Sequence, residues 1–240
     1  MDHQEIEKNE KNNDKNNNTP YEVIPDDVRA YRDKEYWNMR YQKRVNNQIE
    51  MITSEFTNTR TFDWFKTYKD LKPLFNAHLT RNSPKILMLG CGNSTLSEDL
   101  YDDNANYHQI TNIDFSDIVI DQMYKRCHET HKEMQWLVMD VRDLKFPDAS
   151  FDYVIDKGTM DALMCDKGDV WNPDEDVVEN VKKEVDEVVR VLKPGGKFIY
   201  ITFGQPHFRR RHLERDCWKV EVETFGEVFH YFFYLMTKMY

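Results

Sequence analysis

Short continuous apolar runs recur through the second two thirds of the chain, and polar or helically spaced segments separate them. Such runs are typical of parallel strands that are buried on both faces of a sheet. The predicted strands are residues 85–90, 110–115, 134–140, 151–158 and 197–203. The predicted helices are residues 71–79, 95–101 and 116–127, and a longer one that enters through Asn172-Pro173. The pattern therefore predicts an α/β fold.

The C-terminal part of the chain breaks this alternation. A KPGG turn, residues 193–196, precedes the fifth strand, and two further strand-like runs at 218–225 and 228–238 join at Gly226 without a helix between them. Two such runs predict an antiparallel hairpin. A symmetric dinucleotide-binding domain would continue with parallel units instead. We therefore predict a doubly wound, Rossmann-like sheet of seven strands that is mostly parallel and closes with the hairpin.

The N-terminal part divides into two compositions. Residues 1–20 are rich in Asn and contain no aromatic residue, which predicts a disordered tail. From residue 21 aromatic residues are frequent, and EYWNMRYQ has helical spacing, with Trp37 and Tyr41 on one face and Arg40 on another. We predict a single domain over residues 21–240, in which residues 21–84 form an aromatic helical cap on a core of residues 85–240.

Composition limits the class of protein. The 240 residues suit one α/β domain, and no run approaches the ~18 apolar residues that span a bilayer. The charged start is unlike a secretory signal, and the four cysteines form no metal-ligand pair, so we expect a cytoplasmic protein without a metal site. The net charge of -10 disfavours nucleic acid and favours a basic or neutral partner. The basic residues 209–212 are either a solvated loop or a substrate contact.

The segment LGCGNSTLS carries the strongest chemical signal. Gly90 and Gly92 follow a predicted buried strand, and they let the backbone turn sharply and approach a ligand. Asp114 ends the next strand, about 20 residues further on, where ribose-hydroxyl acceptors lie in dinucleotide folds. The spacing indicates a nucleotide-type cofactor. Small residues also end strands for structural reasons, and an Asp after a strand is often a helix cap.

Four motifs now add a resemblance: LGCGNS, NIDFS, MDVRDLKFPDASFDYVIDKGTMDAL and VLKPGGKFIYITFGQPHFRRRH. Together they resemble the seven-stranded S-adenosylmethionine-dependent methyltransferases, and more narrowly the elongation factor 1-alpha lysine methyltransferases. The resemblance implies S-adenosylmethionine as cofactor and S-adenosylhomocysteine as product. It also implies elongation factor 1-alpha as the protein substrate of a cytoplasmic monomer, with no direct nucleic-acid or membrane partner.

The resemblance implies a set of cofactor-binding residues. Trp37, Tyr41 and Trp64 should line the site, where aromatic faces attract a sulfonium cation, although their spacing alone equally suits core packing. Gly90 should lie against the methionine end of the cofactor, and Asp114 should accept both ribose hydroxyls.

Three further residues follow the next two strands. The resemblance implies that Asp140 faces the adenine amino group and that the Val141 amide lies beside it. Lys157 follows the fourth strand, at the sheet edge where ligands bind in open α/β sheets, and it is placed in the site on that ground and by the family pattern.

The acceptor side is less specific. A lysine amine must lose a proton before it attacks a methyl group, at a cost of about 4–5 kcal/mol at neutral pH. Asp156 and Asp161 flank KGTM, and they are the nearest candidates for orienting the amine; a carboxylate of ordinary pKa is a poor base for it. Three alternatives remain: a small-molecule methyltransferase, a nicotinamide-dependent oxidoreductase, and a non-catalytic module that binds S-adenosylmethionine.

Overall fold

Seven strands form one sheet in the computed structural model, which describes residues 25–42, 61–103 and 107–240. Strands β1 to β5 run parallel, and β7 is antiparallel to both of its neighbours in the order β3-β2-β1-β4-β5-β7-β6. The predicted sheet and its C-terminal hairpin are confirmed. The predicted tail, residues 1–20, lies outside the described residues. In chain order the strands are β1 (Ile86–Leu89), β2 (Ile110–Asp114), β3 (Gln135–Val138), β4 (Phe151–Lys157), β5 (Leu192–Thr202), β6 (Trp218–Phe225) and β7 (Tyr231–Lys238).

Helices cover both faces of the sheet and part of its edge. A short 3-10 helix, Val28–Arg32, precedes residues 34–42, which are helical and are called α1. Within the described residues, no helix has the length and apolar composition needed to cross a bilayer. The other helices are α2 (Tyr68–His78), α3 (Leu96–Asp103), α4 (Asp117–Cys127), α5 (Thr159–Leu163), α6 (Glu175–Val191) and α7 (Pro206–Leu213).

The core consists of two apolar clusters, one on each face of the sheet. In β1 the side chains of Ile86 and Met88 belong to one cluster, and those of Leu87 and Leu89 belong to the other. Successive side chains of a strand point to opposite faces, so a strand covered on both sides is apolar throughout. This geometry explains the continuous apolar runs of the sequence.

Several predicted boundaries are wrong. Helix α2 begins at Tyr68 and not at residue 71, and β7 begins at Tyr231 and not at residue 228. Helix α6 begins at Glu175 with Asp174 as its N-cap, two residues after the predicted entry through Asn172-Pro173. The KPGG segment lies within β5 as a bulge, because Phe151 pairs with Leu192 whereas Tyr153 pairs with Lys197. The extra residues of β5 leave the pairing and return to it, which a sequence pattern does not separate from a turn.

Helix α7 replaces the predicted basic loop. Pro206 is suited to the first turn, and Arg210 and Arg211 lie in the last turn, where cations interact favourably with the helix dipole. Arg209 points inward, and its side chain is 12% exposed. It is therefore neither the solvated residue nor the free substrate contact that the sequence left open.

The parallel strands all end at one edge of the sheet. Gly90 follows β1, Asp114 ends β2, Gly158 follows β4 and Phe203 follows β5. Ligands of open α/β sheets bind outside the carboxyl ends of the strands. The fold thus brings residues from distant parts of the chain to one edge.

Candidate active site

A cavity of ≈ 280 Å³ lies at the carboxyl edge of the sheet. The ends of β1, β2 and β4 form its floor, and α1 and residues 61–65 cover it. Among its lining residues are eight of those named from the sequence: Trp37, Tyr41, Trp64, Gly90, Asp114, Asp140, Val141 and Lys157. Asp161 also lines it, whereas Asp156 is not part of its wall.

The turn after β1 needs glycine at two positions. Gly90 and Gly92 have φ values of 53° and 51°, in the left-handed region that other residues rarely adopt. A Cβ on Gly90 would lie 2.1 Å from Oγ1 of Thr159, at the start of α5. A side chain there would displace α5 from the cavity floor.

Asp114 anchors this turn with its carboxylate. Its Oδ2 accepts a hydrogen bond from the Gly92 N–H at 3.0 Å, and its Oδ1 accepts one from the Ser116 N–H at 2.9 Å. Burial raises the pKa of Asp114 to about 6. Ser116, not Asp114, caps α4, because its side chain accepts from the Val119 N–H. An ionised carboxylate has about four acceptor positions, so Asp114 retains the capacity to accept from the hydroxyls of a ligand.

Asp140 and Val141 form another part of the wall, beyond β3. The Asp140 carboxylate pairs with Arg142 at 2.7 Å. Burial alone would raise the pKa of Asp140, but the hydrogen bonds from the Arg142 side chain and backbone hold it below the usual range. Asp140 is therefore an ionised acceptor at the cavity wall.

The aromatic residues of the cap surround a cation of the chain itself. The Arg40 guanidinium lies over the rings of Trp37, Phe62 and Trp64, at 5.4, 5.3 and 5.6 Å from their centroids. The ring of Trp37 also stacks on Tyr41 at 5.8 Å. Helical spacing assigned Arg40 to a different face from Trp37, yet its long side chain reaches that ring. The described aromatic faces thus hold Arg40 at the cavity wall.

Lys157, at the end of β4, connects the sheet to residues 63–64, which lie over the cavity. Its Nζ donates to Oδ1 of Asp63 and to the carbonyl oxygen of Trp64, both at 3.0 Å. The Lys157 side chain is 6% exposed, and burial lowers its pKa while Asp63 opposes that shift. Ser94 also donates to Asp63. The hydrogen bonds from Lys157 and Ser94 therefore hold residues 63–64 over the Gly90–Gly92 turn.

Comparisons with known proteins agree with this geometry. A model of the methyltransferase domain matches residues 87–200. EEF1A lysine methyltransferase 4 of Mus musculus is 35% identical over 217 residues, which cover 90% of this chain and 79% of the relative. The chain belongs to this family of methyltransferases. The eEF1A lysine and N-terminal methyltransferase of Homo sapiens is 35% identical over 204 residues, and the match covers 83% of this chain but only 26% of that longer protein.

Solved structures share the fold of this methyltransferase. A TehB-like SAM-dependent methyltransferase from Corynebacterium glutamicum aligns with a TM-score of 0.54 and 15% identity, covering 83% of this chain and 98% of the other. The phosphoethanolamine N-methyltransferase 2 of Haemonchus contortus, solved with S-adenosylhomocysteine, aligns with a TM-score of 0.53 over 72% of this chain and 52% of the other. The predicted seven-stranded methyltransferase fold is confirmed, and the nicotinamide-dependent alternative has no support.

The two acidic residues that flank KGTM have different places in the methyltransferase. Asp156 is fully buried, and its carboxylate accepts from the N–H groups of Thr159 and Met160, both at 3.0 Å, at the start of α5. Burial raises its pKa to about 6, and burial also raises that of the neighbouring Glu184 well above its usual range. Asp156 positions α5 and lies outside the cavity wall, so the structure does not place it where it could orient a substrate amine.

Asp161 lines the cavity, but three donors already occupy it. Its carboxylate accepts from Tyr200 Oη at 2.9 Å, from Thr202 Oγ1 at 2.6 Å and from the Arg209 guanidinium at 2.8 Å. The pairing with Arg209 balances its charge within the protein. The Asp161 carboxylate can accept a further hydrogen bond.

Sequence reasoning missed three residues of the cavity region. Arg40, Phe65 and Phe203 line the cavity, and Phe65 and Phe203 touch each other with ring centroids 5.3 Å apart. Arg40 lies within the EYWNMRY motif, where its spacing of three from Trp37 was the available signal. Phe65 belongs to the aromatic cluster FDWF and Phe203 ends the fifth predicted strand, but neither position indicated that the two rings meet at the cavity.

Proposed function

We propose that this protein is an S-adenosylmethionine-dependent lysine N-methyltransferase that acts on elongation factor 1-alpha in the cytoplasm. The observation that carries the proposal is that one cavity joins the Asp114 carboxylate to an apolar wall of Phe65 and Phe203 that reaches the surface. The relatives support the substrate, because two of them are named as lysine methyltransferases of eEF1A. The free thiols of all four cysteines are consistent with a reducing compartment.

The residues of the cavity suit the three parts of the cofactor. Asp114 would accept the ribose hydroxyls, Asp140 and the Val141 amide would face the adenine, and Arg40 would pair with the methionine carboxylate. Residues 25–42 and 61–84, the described part of the predicted cap, would cover the cofactor, and Lys157 contacts this part through Asp63. When bound, S-adenosylmethionine supplies a methyl group on a cationic sulfur that leaves as a neutral thioether.

The enzyme must also hold the lysine amine of its substrate in a neutral form and align it with the methyl group. The neutral amine would take up the methyl group as the thioether leaves, and the methylated ammonium product would then release a proton to solvent. An apolar passage lowers the pKa of an entering ammonium, because burial disfavours the charged form. Phe65 and Phe203 provide such a passage, and Asp161 would orient the amine without removing its proton. Alignment and exclusion of water would supply most of the rate.

The direct test is methyl transfer to a defined protein. The purified enzyme would be incubated with radiolabelled S-adenosylmethionine, first with a cytosolic extract and then with purified elongation factor 1-alpha. The proposal predicts one labelled band, identified by mass spectrometry as that factor methylated on lysine, and loss of the label with Asp114→Ala. Cofactor binding without any labelled protein would contradict it and would favour a small-molecule substrate or an inactive module.

A further inference from the structure

Five large apolar side chains are exposed in loops at the carboxyl edge of the sheet, and one of them, Phe203, lines the cavity. Val170 and Trp171 are 61% and 64% exposed, and Phe203 is 48% exposed. Val228 and Phe229, in the turn between β6 and β7, are 98% and 62% exposed. These five residues, called here the apolar rim, lie in loops at the carboxyl edge of the sheet. Single exposed apolar residues need no explanation, but a group at the same edge of the sheet as the cavity, with one member in the cavity wall, indicates an interaction surface.

A chain of aromatic contacts connects the apolar rim to the cavity. Phe203 touches Phe65 at 5.3 Å, Phe65 touches Tyr231 at 6.1 Å, and Tyr231 touches Phe229 at 5.6 Å between ring centroids. The backbone of Phe65 has a φ of 66°, which is unusual for a bulky residue, so the surrounding contacts must maintain this conformation. The wall of the cavity therefore continues without a break onto the exposed turn.

Contacts with α7 fix the position of Val170 and Trp171, the other part of the apolar rim. Trp171 packs on His207 and Phe208 of α7, at 5.4 and 4.8 Å between centroids. Arg211 donates to the carbonyl oxygens of Val170 at 3.0 Å and of Trp171 at 2.8 Å. An aromatic side chain held in its exposed position loses little entropy when a partner covers it, and Trp is among the residues that contribute most to protein interfaces.

Charge identifies the kind of partner. The segment that contains Trp171, residues 166–176, includes Asp166, Asp169, Asp174, Glu175 and Asp176. The cations that contact it include Lys167 within the segment, Arg32, which pairs with Asp176, and Arg211, which donates to the Val170 and Trp171 carbonyls, so acidic residues remain in excess. The chain as a whole has a net charge of -10. Such a surface attracts a cationic protein face and repels anionic lipid or nucleic acid.

We propose that the apolar rim is the docking surface for the folded protein whose lysine enters the cavity, and that this protein presents a cationic face with an apolar patch beside that lysine. The inference rests on the proposed function, since it requires a protein substrate. It adds that recognition extends beyond the lysine side chain, so that an intact protein is a much better substrate than a short peptide.

The test compares two rim variants with a matched control, using purified elongation factor 1-alpha as substrate. The variants are V228S/F229S and Trp171→Ala. The control is M239S/Y240S, which also removes two exposed apolar side chains but lies at the end of the chain, beyond β7 at the opposite edge. For each protein KM, kcat, the dissociation constant of S-adenosylhomocysteine and the oligomeric state are measured, at low and at physiological salt.

The expected result is a rise in KM of about tenfold or more for both rim variants, with kcat and affinity for S-adenosylhomocysteine within about twofold of wild type. The control should match wild type, and KM of wild type should rise with salt. An unchanged KM in active rim variants would overturn the docking surface while the proposed function stands. The docking surface would also be overturned if wild type is a dimer, V228S/F229S is a monomer and the two have the same KM. In that case a second copy of the chain, and not the substrate, would cover the apolar rim. If wild type methylates no protein, the proposed function fails and the docking surface with it.

Discussion

The cavity has a cofactor half around Asp114 and an acceptor half around Asp161, and the two halves are built in different ways. In the cofactor half, the Asp114 carboxylate binds the backbone of Gly92, only 22 residues away in the chain. In the acceptor half, the side chains of Asp161 and Arg209 pair across 48 residues, and between the two halves Lys157 pairs with Asp63 across 94 residues. A carboxylate held by backbone donors depends on one local turn, whereas buried ion pairs depend on the assembly of several elements. The two halves should therefore respond differently to substitution.

The largest effect is expected from Arg209→Met, in the acceptor half. Removing one partner of a buried ion pair leaves an uncompensated charge, here on Asp161, and typically costs about 3–5 kcal/mol. Denaturant unfolding should show this loss in the free energy of unfolding. The matched control is Arg215→Met, because the pair of Arg215 with Asp186 is more exposed and should contribute less than about 1 kcal/mol. Equal losses of unfolding free energy in Arg209→Met and Arg215→Met would show that the buried pair of the acceptor half contributes no more than an exposed ion pair.

The next largest effect is expected from Asp114→Ala, in the cofactor half. This variant loses the acceptor for the ribose hydroxyls, and hydrogen bonds to a charged group contribute about 1.5–3 kcal/mol. Affinity for S-adenosylhomocysteine, measured by calorimetry, should fall about a hundredfold. Asp117→Asn is the control, since Asp117 is exposed and pairs with Lys34 at the surface. An affinity within threefold of wild type in Asp114→Ala would exclude the proposed role.

The connection between the halves can be measured with a double-mutant cycle. Asp63→Asn, Lys157→Gln and the double variant would be compared in their affinity for S-adenosylhomocysteine. Because Lys157 holds residues 63–64 over the Gly90–Gly92 turn, we expect a coupling energy of about 1–2 kcal/mol. If the losses of affinity in the two single variants simply add in the double variant, the contact between Lys157 and Asp63 does not contribute to binding.

The smallest effect concerns pH. The pKa of Asp114 is raised to about 6, so the carboxyl becomes protonated as the pH falls through that value. The ionised form is the better acceptor, and affinity for S-adenosylhomocysteine should be full above pH 7 and about tenfold weaker at pH 5. The pKa of Asp156 is also about 6, and Asp114→Asn separates the two groups. A pH dependence that persists in Asp114→Asn would assign the titration to the buried pair of Asp156 and Glu184.

The same contrast explains what the sequence could predict. Gly90, Gly92 and Asp114 follow from local spacing, because strand ends and tight turns restrict which residues fit. The seven-stranded sheet follows from apolar periodicity and from the absence of a helix between the last two strands. Helix α5 has only five residues, too few to show a period, and α7 has few apolar residues.

Side-chain partnerships were beyond the reach of local patterns. Nothing near Asp161 indicated Arg209, and nothing near Lys157 indicated Asp63. Asp156 and Asp161 have similar positions around KGTM, yet one caps a helix and the other lines the cavity. Which way each carboxylate points depends on the packing of α5 against β5 and α7, which no spacing rule contains.

The central claim is that the carboxyl-edge cavity binds S-adenosylmethionine with Asp114 at the ribose. A crystal structure of the complex with S-adenosylhomocysteine tests it most directly. The account predicts both ribose hydroxyls on the Asp114 carboxylate, the adenine beside Asp140 and Val141, and the carboxylate of the ligand at Arg40. A ligand bound elsewhere, or bound in this cavity without contact to Asp114, would contradict it.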